Sequence, residues 1–360
     1  MIIGVPKEIK TQEYRVGIVP AGVAELVRAG HEVLIERGAG LGAGFTDQEY
    51  ERQGGVCVST EEAWHAQLVV KVKEPLAAEY DYLHGQILFT FLHLAGVDIN
   101  LTRRLMASGT TAIAYETLED DAGRLPILAP MSAVAGNMAA LVGAYYLARF
   151  NQGNGVQLGQ VLGRRHGKAL VLGAGVVGMH AARTLHGMGT NVYLAGLDKH
   201  KVDRQVSEEL AGVNYFYSND HAVAQHCVDA DLVIGAVLKR GQKAPYVLTE
   251  KMVSAMGKSS VIVDVSIDQG GCVETSRATT HDQPVYTRHG VIHYCVTNMP
   301  GAYPRSSAVA LCAESLPYVR LLADKGVDGF LGREGLAKAV NIYRGEITNE
   351  KLAESLSALS

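Results

Sequence analysis

The sequence predicts an α/β protein of two doubly wound domains with a cleft between them. Three observations lead there. Short apolar runs of strand length alternate with stretches of helical spacing, and they do so in two separate series. In the second series a glycine-rich turn, "GAGVVG", stands between a strand and a helix. Between the series lies a long run of small and apolar residues, "MSAVAGNMAALVGAYYLARF", at 131–150.

The first series holds the strand candidates "IIGVP", "EVLIE", "LVVKVK", "ILFTFLH" and "TAIAYE", rich in valine, isoleucine, phenylalanine and tyrosine. Residues 21–29 and 99–108 carry helical spacing between them. This alternation predicts parallel βαβ units and a sheet covered on both faces. Residues 131–150 are expected to form one long, largely buried interdomain helix. The following "NQGNGVQLGQVLGRRHGK" is glycine-rich and polar, and predicts a loop. The second series reads "ALVLGAG", "NVYLAG", "DLVIGAV", "SVIVDVS" and "VIHYCV", with the second strand expected over 192–195. A loop with two prolines, "TNMPGAYPRS", comes next. Helical spacing then covers 307–324, where lysine and glycine mark a helix end. The C-terminal helices return most economically to the first domain. The expected division is therefore 1–128 plus 305–360 for one domain and 129–304 for the other, which opens with the interdomain helix.

Composition narrows the function classes. In 360 residues, 33 Lys and Arg nearly balance 37 Asp and Glu, so no global basic field argues for a nucleic-acid partner. Five cysteines without CxxC spacing read as free thiols in a reducing compartment. With no His/Cys cluster, no metal is expected. The N-terminal apolar run is too short for a signal peptide, and no unbroken run of eighteen apolar residues predicts a membrane span. A cytoplasmic enzyme without a membrane partner is expected.

The glycine turn has the G-x-G-x-x-G arrangement at Gly173, Gly175 and Gly178. The first glycine permits a tight turn and the second lets the main chain approach a pyrophosphate. The third allows close helix–strand packing, while the helix N-terminus offers free N–H groups to the anion. In such Rossmann-like units the next strand ends on an acid that holds the adenosine ribose. Here Gly196 stands at that end, and Asp198 arrives two residues later.

Four other strand ends carry polar groups: Lys73, His93, Glu116 and Asp268. Ligands of open α/β sheets bind beyond the carboxyl ends of the strands, so these groups together suit an anion and proton transfer. Singly, each has a plainer reading. Lys73 suits a solvated edge beside Lys71 and Glu74, His93 a satisfied core histidine, Glu116 a helix cap and Asp268 a turn-forming residue.

At this point the chain resembles the alanine dehydrogenases over essentially its whole length. The matching stretches are "GVPKEIKTQEYRVGIVP", "VKVKEP", "GQILFTFLHLA", "TAIAYET", "LAPMSAVAG", "VLGAGVVGMHAAR", "ADLVIGAVL", "VDVSIDQGG" and "HYCVTNMPGA". Related nicotinamide nucleotide transhydrogenase subunits share the fold and several of these blocks. The resemblance implies reversible, NAD-dependent oxidative deamination of L-alanine to pyruvate and ammonia by a homohexamer. It implies Arg15 and Lys73 as ligands of the substrate carboxylate, with Glu116 beside them, and His93 and Asp268 as the catalytic pair. Arginine suits a planar carboxylate through two parallel hydrogen bonds, and a histidine titrates near neutral pH. Around NAD the resemblance places Ser132, Val176, Val177, Ser218, Val237, Leu238, Ile267, Arg277, Asn298 and Met299, with the three glycines of the turn.

Where the family carries the ribose-binding acid, the chain has Gly196. Asp198 is the expected substitute, with Lys201 close by. The other reading is that Gly196 leaves room for the 2′-phosphate of NADP, met by Lys199, His200, Lys201 and Arg204. Ala133 and Asn137 replace a glutamate and an arginine usual in the family, which removes a matched ion pair without orphaning a charge. The alternatives are a related amino-acid dehydrogenase of other side-chain or NADP preference, or a non-catalytic or transhydrogenase-like nucleotide-binding subunit.

Overall fold

The chain divides into two compact units, Met1–Met131 with Gly301–Ser360, and Ser132–Pro300. The structure, a computed structural model, describes residues 1–94, 98–198, 210–239 and 244–357. Lys199, His200, Lys201 and Arg204 lie outside the described residues.

In the first unit, strands β1 (Ile2–Val5), β2 (Glu32–Glu36), β3 (Val56–Val58), β4 (Leu68–Val70), β5 (Ile87–Thr90) and β6 (Thr111–Ala114) are parallel and lie in the order 3-2-1-4-5-6. The central strands read as unbroken buried runs, as a sheet covered on both faces requires. Alternate residues feed two cores. Ile3, Ile35, Leu68, Phe89 and Ile113 face one way and pack with Leu311, Val319 and Leu322 of the helix Pro304–Lys325. Val69, Leu88 and Ala112 face the other way, against Trp64, Leu101 and Leu105.

The second unit opens with a two-stranded hairpin, β7 (Gly159–Val161) and β8 (Arg164–His166), within the stretch expected to be loop. Its two-residue turn holds Leu162 at φ 48° and Gly163 at φ 79°. Such turns favour Asn-Gly or Gly-Gly, so a leucine there hides the hairpin from a sequence reading. The main sheet comprises β9 (Lys168–Leu172), β10 (Asn191–Gly196), β11 (Asn214–Tyr217), β12 (Leu232–Gly235), β13 (Val261–Asp264), β14 (Val285–Arg288) and β15 (Val291–Tyr294). Its order is β11-β10-β9-β12-β13-β15-β14, with β14 antiparallel at the edge. Leaving that edge aside, this is again 3-2-1-4-5-6, the dinucleotide-binding order. Two further strands, β16 (Val340–Tyr343) and β17 (Glu346–Ile347), extend the first sheet antiparallel beyond β6. The C-terminal segment therefore returns to the first unit as strands as well as helices.

The helix between the series spans Leu128–Tyr146. Its glycines allow close approach. A Cβ on Gly136 would lie 2.3 Å from the Val177 carbonyl oxygen, and one on Gly143 would lie 2.5 Å from a Leu232 methyl. Asn137, Leu141 and Tyr145, spaced four apart, are nevertheless exposed, so the helix is less buried than its composition suggests. Among the described residues it is the one helix long and apolar enough to cross a membrane, a property it shares with core helices of soluble proteins. Asn137 accepts a hydrogen bond from Thr184 Oγ1 at 3.0 Å, which gives the residue a neutral partner.

Candidate active site

Each sheet reverses its winding direction once, between β1 and β4 and between β9 and β12. The sequence-predicted residues gather at the carboxyl ends of the strands at and beside these two reversals.

In the first unit, three polar residues stand two or three positions past their strand ends, because the strands are shorter than the apolar runs. Beyond β4, the Glu8 carboxylate accepts N–H bonds from Val72 at 2.6 Å and Lys73 at 3.3 Å. The Lys73 carbonyl accepts from Thr90 Oγ1 at 3.0 Å, which ties this loop to the end of β5. Lys71, named in the sequence only as a neighbour of Lys73, is fully buried between Glu79 at 2.8 Å and Glu8 at 3.3 Å. Arg15 is buried too. Its Nε and Nη2 grip the two oxygens of Glu13 at 2.6 and 2.5 Å, and Nη1 lies 3.0 Å from Met131 Sδ. The guanidinium fork expected for a substrate is thus already engaged by a carboxylate of the chain itself. The buried carboxylates of Glu8, Glu13 and Glu79 stand here with the buried cations of Lys71 and Arg15. Burial pushes the Glu8 carboxyl above the ordinary glutamate range, opposed by Lys71 and reinforced by Glu13.

Beyond β5, His93 is not a core histidine. Its side chain is 45% exposed, and its ring stacks on Phe91 with centroids 5.7 Å apart. Its φ of 48° is a left-handed conformation that costs a non-glycine residue about 1–2 kcal/mol. Glu116 stabilises that turn. Its carboxylate accepts the N–H of His93 at 2.6 Å and of Leu92 at 3.2 Å, with His93 Nδ1 3.9 Å away. Glu116 itself lies in a single 3-10 turn after β6, so the helix-capping reading is replaced by a clasp on the histidine loop.

In the second unit the glycines behave as the motif requires. Gly173 has φ 108°, and a Cβ there would lie 2.4 Å from the Ala236 carbonyl oxygen. A Cβ on Gly178 would lie 1.7 Å from the carbonyl oxygen of Gly173. Around Gly175 nothing lies within 4 Å of such an atom, so the main chain is open to a ligand. The helix Val176–Gly187 begins there with no side-chain cap, which leaves the N–H groups of Val176, Val177 and Gly178 for an anion. This cradle fits a dinucleotide pyrophosphate.

Other predicted cofactor residues ring the same strand ends. Val237 exchanges hydrogen bonds with the Ser266 hydroxyl at 2.8 and 3.0 Å, and Leu238 beside it is exposed. Ser218 N–H donates to Gly196 O at 2.8 Å, joining the ends of β10 and β11. Ile267 and Met299 are buried. Asp268 is exposed in the 3-10 turn Val265–Gln269 and accepts the N–H of Asn298, itself at φ 58°, at 3.2 Å. Ser132 is half-buried on the long helix. Arg277 lies apart in this contact pattern. Its guanidinium sits over the Tyr286 ring at the β14 edge, 4.2 Å from the centroid.

Sequence reasoning missed the acids that hold these loops. Asp264, at the end of β13, is wholly buried and accepts N–H bonds from Ser266, Cys272 and Val273 at 3.0–3.1 Å, fixing both sides of the Asp268 turn. Burial raises its carboxyl above the ordinary range against those hydrogen bonds. Glu8 and Asp264 each stand at or just past a strand end beside the reversal, which is the signal that strand order, once known, supplies. Among the described residues no group of three His, Cys, Asp or Glu is placed to hold a metal ion.

Two doubly wound sheets, one with a dinucleotide cradle and the other with buried charge and a clasped histidine, define a nicotinamide-nucleotide oxidoreductase of two α/β domains. The comparisons with known proteins agree. The N-terminal domain model of alanine dehydrogenase/PNT matches residues 4–135 and the C-terminal domain model matches 139–350, so the chain belongs to this family. It is 47% identical to an alanine dehydrogenase of Mycolicibacterium smegmatis over 99% of this chain and 97% of that protein. With the alanine dehydrogenase of Bacillus subtilis the identity is 46%, covering 99% and 95%. A solved L-alanine dehydrogenase superposes with a TM-score of 0.95 at 45% identity, covering both chains fully. A transhydrogenase from Sinorhizobium meliloti, 24% identical, shares the fold at a TM-score of 0.85 over 97% of this chain and all of that one.

Proposed function

We propose that the protein is an L-alanine dehydrogenase that uses NAD, converting L-alanine, NAD and water to pyruvate, ammonia and NADH, and the reverse. The observation that carries this reading is the exposed His93, held in a left-handed turn by Glu116 beside a cluster of buried charge. Lys73 and the outer N–H groups of Arg15 bind the substrate carboxylate, and the Glu13 pairing keeps the guanidinium in one orientation. His93 takes the proton of the substrate ammonium, which leaves a neutral amine, and passes that proton to solvent before water is activated. NAD held in the glycine cradle would supply the hydride acceptor for Cα, and the substrate would then carry an iminium charge. Asp268 offsets that charge and orients a water, whose proton passes to His93 as oxygen bonds to Cα. His93 then returns a proton to nitrogen and takes the hydroxyl proton as ammonia departs and the carbonyl forms.

The cofactor binds through the cradle of Gly173, Gly175, Val176, Val177 and Gly178, with Ser132, Ser218, Val237, Leu238, Ile267, Asn298 and Met299 around it and Asp198 at the ribose. Arg277, at a position that matches the family, and Lys201, in the segment after Asp198, complete the set. The chain works in the cytoplasm as a homo-oligomer, a hexamer by family resemblance. The apolar side chains of Leu141, Tyr145, Phe150 and Leu162, all exposed in the single chain, support association with further copies. Purified protein given L-alanine and NAD is expected to raise absorbance at 340 nm. No rise even at alkaline pH overturns the reading, and light scattering of the eluting protein tests the hexamer.

A further inference from the structure

The end of β10 is where this chain departs from the general dinucleotide pattern, and the structure shows what occupies the place. Gly196 adjoins the glycine turn, because a Cβ built on it would lie 3.0 Å from Ala174 Cβ. The same atom would lie 2.8 Å from Tyr215 Oη and 3.0 Å from Tyr215 Cε2. Tyr215 comes from the neighbouring parallel strand β11, two residues before Tyr217, the register partner of Gly196. The room that a glycine opens at the strand end is therefore filled by a phenol. An acidic side chain at 196 would force the present tyrosine ring to shift. The Tyr215 hydroxyl donates to the carbonyl oxygen of Asp198 at 3.3 Å. It thereby fastens the main chain at the first acid after the strand. A carboxylate at this end of the second strand accepts from the ribose 2′-hydroxyl and repels a 2′-phosphate.

Resting on the dinucleotide reading above, we infer that Tyr215 determines the choice between NAD and NADP. Its ring closes the space that Gly196 opens, and its hydroxyl positions Asp198 to supply the ribose carboxylate. On this reading the phenol takes the space beside Gly196 that the earlier alternative assigns to a 2′-phosphate. The positioning acts through Asp198, so Tyr215 is a specificity residue and takes no part in proton or hydride transfer.

Equilibrium binding of NADH and NADPH to the full-length protein, read by calorimetry at fixed ionic strength, tests this without turnover. The wild type is expected to bind NADH the more tightly. Tyr215→Phe keeps the bulk and loses one hydrogen bond, so the NADPH-to-NADH ratio of dissociation constants should fall about three- to tenfold. On an Asp198→Asn background the same change should add little, because the two residues act in series. Gly196→Asp combined with Tyr215→Ser moves the acid to the strand end and should restore the preference, whereas Gly196→Asp alone meets the phenol and should not. A ratio in Tyr215→Phe within about twofold of the wild type, or full additivity with Asp198→Asn, overturns the role of Tyr215. A wild type that prefers NADPH overturns the NAD reading itself. Circular dichroism of each variant separates either result from loss of fold.

Discussion

At the β1/β4 reversal the loops are held by charge, and at the β9/β12 reversal by glycine and main chain. The first place buries Lys71, Glu8, Glu79, Glu13 and Arg15 almost completely. The second offers three glycines, an uncapped helix start and, among the described residues, one comparably buried acid, Asp264. The same strand order is thus furnished by opposite means. A small anionic substrate needs fixed cations, and burying these is tolerable only when every charge is paired. A pyrophosphate needs close approach and N–H groups, which glycine permits at the cost of chain entropy. One device recurs on both sides. Glu8, Glu116 and Asp264 each accept main-chain N–H bonds from a loop that carries a proposed functional residue.

This contrast is broken most severely at Lys71. Lys71→Met leaves Glu8 and Glu79 buried without their cation and should destabilise the protein by about 3–5 kcal/mol, read as a lower denaturant midpoint. A stability unchanged by that substitution means the charge cluster is not structural. At the other reversal, Gly178→Ala drives a methyl into the carbonyl of Gly173. Nucleotide affinity should fall on the order of 100-fold, measured by NADH titration. Near-normal binding there contradicts the glycine cradle.

A finer test concerns the clasp. Glu116→Gln turns an amide toward two N–H donors, so kcat should drop about tenfold or more as His93 loses its placement. Glu116→Asp should recover part of it, and alanine KM should change little. A large rise in KM with kcat intact assigns Glu116 to the substrate instead.

The smallest effect separates the two units by pH. Glu8 has its pKa raised by burial, so the folded protein holds a proton the unfolded chain releases above 4.5. Stability should therefore fall as pH rises from 4.5 through the folded value. His293, fully buried on β15, has its pKa lowered by burial, and the unfolded chain gains the proton first below 6.5. Its contribution should fall as pH drops from 6.5 through the folded value. Each slope is at most about 1.4 kcal/mol per pH unit, and Glu8→Gln and His293→Gln should each flatten one of them in melting curves taken against pH. Unaltered slopes in both variants show that neither group is linked to folding.

Much of this architecture is legible in the sequence, because parallel strands buried on both faces leave unbroken apolar runs such as "LVV" and "VIVD". The glycine turn is legible for the same kind of reason, since each of its glycines answers a separate steric demand. What stays hidden is local. The β7/β8 hairpin turns on a leucine, β3 and β17 have only three and two residues, and β11, β14 and β16 mix polar residues such as Asn214, Arg288 and Asn341 into four-residue strands. Lys71 looks like a surface lysine until Glu8 and Glu79 are brought to it from distant or irregular segments. The Glu116 clasp and the Tyr215 filling involve residues 23 and 19 positions from their partners, and no spacing rule links them.

The Gly196–Tyr215 packing also has a historical side. An acid arriving at 196 strikes a phenol already in place, while a small residue arriving at 215 leaves a hole beside a glycine and an untethered loop. Each step taken alone disturbs the packing or the tether at the other position. Among relatives of this chain, the residue at one position should therefore foretell the other.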